Sequence, residues 1–327
     1  MIEKVPFGVD LKLDSKARIT LAVAIVIAAV LLYFSLRGID MAELGATLSN
    51  AKPEPLGISL VLSSLTLWLR SLRWRVLLNT SEALPLGTVF WANALGYLGN
   101  NVLPARMGEF MRVEALKRRH EISRSYLLAT ALIERVMDAG VLVLLTSAAL
   151  LTIPGLPDEL HSASKIFSIL SGLGILTLFL LPHAQKQVEQ LLTKIPKISG
   201  VASRFLDGLR CLHSWGRSLG FLLLTLIIWP IDSYIGVLVA DSIGLELQFQ
   251  TSMVVLAALG LSSAIPSTPG YVGVFQFVAV SVMRPFGIAS SPAIAWILIY
   301  QAINYVVQTT FGLIGFAVLS KAHAQKS

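Results

Sequence analysis

The sequence predicts an all-α polytopic membrane protein, with about six full spans and two oppositely oriented re-entrant or broken hairpins arranged as an inverted repeat. Three observations carry this. Of 327 residues, 55% are hydrophobic and 14% charged, against roughly 25% charged in soluble domains. Mean hydropathy is +0.73. The basic residues are confined to a few segments between apolar runs. Spread over a soluble surface, such a charge deficit would leave large apolar patches in water. The composition therefore excludes a soluble enzyme, a disordered tail and a fibrous repeat.

Apolar runs long enough to span, roughly 17–25 residues, come in order. Ile19–Leu36 is the first. Leu56–Leu69 is short but continues through Trp74 if its arginines snorkel. Ser125–Thr152, Ile166–Leu181, Leu219–Ala240 and Pro292–Leu319 follow. Two more apolar regions, 85–110 and 251–283, are interrupted by Gly and Pro. Assigning the N-terminus, 70–82, 106–124, 183–217 and the C-terminus to the cytoplasm collects 21 of the 26 Lys+Arg on one side. That is the positive-inside pattern. It makes 85–110 a hairpin entering from the cytoplasmic side and 251–283 one entering from the outer side. Residues 1–327 then form a single integral membrane domain. Its halves are 19–152 and 166–319, joined through a cytoplasmic amphipathic linker at 183–218.

The broken regions resemble each other. Asn101-x-x-Pro104 matches Ser263-x-x-Pro266, and Gly108-x-Phe110 matches Gly273-x-Phe275. Gly/Pro-interrupted segments in corresponding places are the sequence trace of transporter repeats. Pro104, Gly108, Pro266, Pro269, Gly270 and Gly273 are the expected hairpin formers.

Ionisable groups at bilayer depth need a partner or a task, since each costs roughly 2.5–3.5 kcal/mol on insertion scales. Arg106, Glu109 and Arg112 follow Asn100 and Asn101. A helix starting near Met107 would aim its N–H groups at an anion, with Arg106 adding a planar fork suited to phosphate. A capped, salt-bridged tip without ligand explains the same residues. Glu134 and Asp138 share one helical face while Arg135 turns away, so the acids need a cation or a proton between them, and Arg106 and Arg112 are the natural candidates. Arg70 and Arg73 read as snorkelling anchors or as a lipid-phosphate site. Asp232 follows Pro230 deep in a span, and Gln301, Asn304 and Gln308 form a polar stripe suited to interhelical hydrogen bonds.

The net charge of +7 needs no nucleic acid as a partner, because it marks the cytoplasmic face. One cysteine, Cys211, and five dispersed histidines offer no metal site, and no cofactor is expected. Nothing before Arg18 reads as a cleavable signal. No Walker loop, HExxH, GxSxG or nucleophile–base pair is legible, so no catalytic residue is assigned and an enzyme is not expected.

Four ordered motifs carry a family resemblance: 70–75, 101–112, 134–138 and 266–276. Together they resemble the lysylphosphatidylglycerol synthase transmembrane-region family, the flippase-like or UPF0104-type integral membrane proteins, over nearly the whole chain. The resemblance implies a domain that moves, or helps to move, an anionic or aminoacylated lipid between leaflets of a bacterial or archaeal cytoplasmic membrane. It also implies a lipid-modifying enzyme or glycosyltransferase as a partner, and a scaffold for such an enzyme is the alternative reading. The aminoacyltransferase domain of some relatives is not expected here, so synthase activity is not carried over. Arg106, Glu109, Arg112, Glu134, Arg135 and Asp138 match the family pattern. Gln276 departs from it, standing where relatives usually carry Glu, and keeps only a hydrogen-bonding role.

Overall fold

The computed structural model describes residues 15–78, 84–103, 106–153, 158–184, 209, 212–263 and 268–324. Among these, the regular elements are all helical. The α-helices are α1 (Ser15–Leu36), α2 (Met41–Ser49), α3 (Pro53–Leu77), α4 (Leu86–Val102), α5 (Gly108–Lys117), α6 (Arg124–Leu150), α7 (Asp158–Leu180), α8 (Trp215–Ser242), α9 (Phe249–Ser262), α10 (Val274–Met283) and α11 (Ser290–Ala324).

Local chemistry explains several boundaries. Asp40 caps α2 by accepting from the amides of Ala42 and Glu43 at 2.8 and 3.2 Å, and Ser123 caps α6 by accepting from Tyr126 N at 3.2 Å. Pro53 opens α3, where a missing N–H is harmless. That helix runs unbroken through its arginines to Leu77, as the sequence predicts.

Four described helical stretches are long and apolar enough to cross a membrane: 53–77, 161–184, 215–242 and 290–320. A fifth span results if 25–36 and 41–49, bent by 89°, count as one. At 27 residues α6 has the length, but Glu134, Arg135 and Asp138 near its middle dilute its apolar character. Pro104, Pro266 and residues 185–208 and 210–211 of the linker lie outside the described residues.

The chain divides into two compact units. The first comprises 1–67, 91–112 and 230–327. Its core gathers Ile235, Val239, Val255, Ala279, Met283 and Ile294 around the fully buried Trp296. The Trp296 indole donates to Gly236 O at 2.7 Å, satisfying a polar atom that would otherwise be stranded. Both breaks lie in this unit, each between two helices. In the first, α5 folds directly back on α4: a Cβ on Gly108 would stand 1.9 Å from Gly96 O and 2.6 Å from Asn100 N. In the second, α10 packs on α9, α11 and α1. Against α4, α11 presents Gly312 and Gly315, where a Cβ would meet Leu98 Cβ at 2.5 Å and Trp91 O at 2.9 Å.

The second unit comprises 68–90 and 113–229. Its core packs Leu77, Ile133, Met137, Ile175, Phe179 and Phe221. Leu209 and Leu212, from the linker, are fully buried there.

Candidate functional site

Within the second unit the charges of α3 and α6 meet in a buried cluster. The Arg73 guanidinium, 2% exposed, donates to both Asp138 oxygens at 2.5 and 3.1 Å, to Glu134 Oε1 at 3.4 Å and to Thr225 Oγ1 at 3.3 Å. It also lies 5.5 Å over the Phe221 ring. Trp229 Nε1 donates to Asp138 at 3.2 Å, and Arg135 approaches the same carboxylate at 3.8 Å. Arg70 stacks 5.0 Å over Trp229. One guanidinium thus faces two carboxylates one helical turn apart, the bidentate arm going to Asp138.

This corrects two expectations. Arg73 is no snorkelling anchor, because its head is among the most buried polar groups of the chain. The counter-charge to Asp138 is Arg73, rather than Arg106 or Arg112. Spacing along the chain compares near neighbours, and Arg73 lies 65 residues away.

Where α5 turns into α6, Glu114 accepts from Arg118 at 3.2 Å and Arg124 at 2.9 Å. Burial alone would raise its pKa. The hydrogen bonds and charges of the two arginines outweigh that and hold the carboxyl below its ordinary range.

Within the first unit the breaks of the two hairpins meet. Arg106 adopts φ +56° and Tyr271 φ +60°, a left-handed conformation uncommon outside glycine. Arg106 Nε donates to Tyr271 Oη at 3.0 Å, its Nη2 donates to Ser263 Oγ, and its guanidinium lies 5.8 Å from the Tyr271 ring centroid. The Tyr271 ring stacks on Phe275 at 4.7 Å. Of this set only Arg106 was singled out from the sequence. Tyr271 stands inside the 266–276 motif, and the match of Ser263 to Asn101 is the one signal the sequence offers for Ser263.

Other predicted residues of the first unit make contacts of their own. Glu109 pairs with Arg112 at 2.6 Å, three residues on, and Arg112 also donates to Asn93 at 3.1 Å. Asn101 donates to Gln308 at 3.0 Å. Asn100 Oδ1 is buried without a hydrogen-bond partner among the described residues, against the backbone of Gly108. Asp232 is buried in α8 beyond Pro230, and Asn304 accepts from Ser63 at 3.2 Å.

The second tip is held by a neutral relay. Pro269 opens a short turn in which Gly270 takes φ +66°. The Gly270 carbonyl accepts from Gln301 at 3.1 Å and from the Tyr305 hydroxyl. Gln301 accepts from Gln276 Nε2, and Gln276 Oε1 accepts from the amide of Gly273, φ +87°, at 2.7 Å. Gln276 must therefore accept and donate at once, which a carboxylate cannot do. Gln276→Glu is expected to set two acceptors against each other and lower stability by about 1–3 kcal/mol. Melting of the detergent-solubilised protein measures it, and an unchanged midpoint would contradict the relay.

Comparison with known proteins extends this picture. The family described as lysylphosphatidylglycerol synthase TM region matches residues 21–312. The chain is 26% identical to UPF0104 membrane protein MJ1078 of Methanocaldococcus jannaschii, over 68% of this chain and 94% of that one. It is 22% identical to UPF0104 membrane protein MJ1595 of the same organism, over 94% and 97%. It is also 23% identical to Glycosyltransferase AglD of Haloferax volcanii, over 91% of this chain but 53% of that protein, so it spans about half of that relative. With a match over most of its length and several apolar helices, this chain is an integral membrane protein that belongs to the lysylphosphatidylglycerol synthase transmembrane-region family.

Proposed function

We propose that the protein moves, or assists the movement of, an anionic or phosphate-bearing lipid between leaflets, a phospholipid or a polyprenyl-phosphate-linked lipid. In this reading six crossings carry two opposed hairpins, both termini face the cytoplasm, and the headgroup is received at the hairpin breaks. The observation that carries it is Arg106, a half-buried cation at the first break joined to Tyr271 and Ser263 of the second. The first residue of α5 lies two positions beyond it, so a helix N-terminus adds its partial positive charge to the same locality. A left-handed non-glycine residue in each break supports a repeat relationship between the hairpins.

Reconstitution into liposomes with a labelled anionic phospholipid tests the proposal. Wild type is expected to accelerate leaflet exchange, and Arg106→Ala to slow it roughly tenfold to a hundredfold, the equivalent of one charge-assisted hydrogen bond. Absence of acceleration for any anionic lipid by folded protein would overturn it. The name of one relative, a glycosyltransferase, favours a second reading, a membrane scaffold for a glycosyltransferase or lipid-modifying enzyme. Stoichiometric copurification of such a partner, with function insensitive to Arg106→Ala, would decide for that reading.

A further inference from the structure

We infer that Tyr271 and Ser263 set the selectivity of Arg106 for oxyanions, by occupying the edge of its guanidinium that a phosphate would take. The inference rests on reading Arg106 as the headgroup site.

Nε and Nη2 lie on one edge of the guanidinium and form a parallel pair of donors. That edge matches two oxygens of one phosphate or carboxylate. Here its two prongs end on two separate hydroxyls, Tyr271 Oη at 3.0 Å and Ser263 Oγ. The hydroxyls therefore stand where the two oxygens of an anion would stand. A neutral headgroup rich in hydroxyls offers Arg106 only the kind of bond it already has, so exchange gains nothing. A phosphate adds its own negative charge, so its bonds to the guanidinium are ion-paired as well as bidentate, and it can displace both.

The surroundings make the competition reversible. The Tyr271 ring is stacked on Phe275. Its backbone is anchored next to Gly270, whose carbonyl is held by Gln301 and Tyr305. Ser263 is itself tied to Gly260 O at the end of α9. Neither hydroxyl has far to travel, so both can return to Arg106 when the anion leaves.

The test is equilibrium binding to the full chain in detergent. The probes are a short-chain phosphatidate, the matching neutral diacylglycerol and inorganic phosphate. Wild type is expected to bind phosphatidate and not diacylglycerol. Tyr271→Phe removes one competitor and keeps the ring, and is expected to tighten phosphatidate roughly threefold to tenfold, the size of one hydrogen bond. Ser263→Ala is expected to act in the same direction, which guards against misfolding of either variant. Arg106→Gln is expected to abolish binding in each background. Comparable binding of inorganic phosphate would identify the free ion as the ligand class, while preference for phosphatidate identifies the lipid. Unchanged or weaker binding of phosphatidate by both hydroxyl variants would overturn the inference, as would no binding at all. If leaflet exchange still proceeds in vesicles under those outcomes, the transport reading stands and the selectivity role alone is lost.

Discussion

Arg73→Leu is expected to lower stability by about 3–5 kcal/mol, because it leaves the Asp138 carboxylate buried without its bidentate partner. In a chain of this size that corresponds to a fall in melting midpoint of roughly 5–15 °C. The companion experiment separates charge from packing. Arg73→Leu combined with Asp138→Asn and Glu134→Gln replaces the three charged groups joined through Arg73 by neutral side chains of similar volume, a change often close to neutral. It is expected to recover more than half of the loss. A midpoint for Arg73→Leu within about 2 °C of wild type would mean that Asp138 does not depend on Arg73, and the cluster would have to be redrawn.

Gly108→Ala is expected to be nearly as damaging, by about 3 kcal/mol or more, at the upper end of what overpacking does. The added Cβ would lie 1.9 Å from Gly96 O and 2.6 Å from Asn100 N. Both are backbone atoms, so no rotamer change relieves the clash. The α4–α5 hairpin must open, carrying Arg106 with it. Gly87→Ala supplies the control: it lies on the same α4, with nothing within 4 Å of the added methyl. It is expected to be neutral or slightly stabilising, by up to about 1 kcal/mol. Monodisperse yield and melting in detergent distinguish the two. If Gly108→Ala behaves like Gly87→Ala, the two helices are not in backbone contact.

Much of the helical framework was legible because membrane spans are written in composition. Uninterrupted apolar runs marked α6, α8 and α11 to within about five residues, while α7 begins at Asp158, well before its run at Ile166, and α3 runs on to Leu77, and the Gly/Pro interruptions marked both breaks. The polar stripe of Gln301, Asn304 and Gln308 followed from helical periodicity and is satisfied as foreseen, by Gln276, Ser63 and Asn101. What the sequence concealed was partnership across distance. Periodicity placed Glu134 and Asp138 on one face but carried no information about which helix lies opposite. An arginine assigned to an interfacial anchor turned out to be their shared cation. The Tyr271 and Ser263 contacts of Arg106 were hidden for the same reason: both are ordinary polar residues until the fold brings the breaks together. The small residues of α4 were equally silent, since Gly96 and Gly99 look like ordinary membrane glycines until α5 lies on them.

The stripe on α11 has a mechanical consequence. Its three amides engage three different elements, α10, α3 and α4, from one face of a single helix. Rotating α11 by one residue, about 100°, would swing all three away from their partners together. Sliding it by one turn, about 5.4 Å, would bring Ile297 or Tyr305 opposite Gln276 and strand a buried amide. Glycines seated against Ala94, Leu98 and Trp91 allow little sideways travel. Within the first unit α11 is therefore pinned against rotation, sliding and sideways shift by contacts to three separate elements.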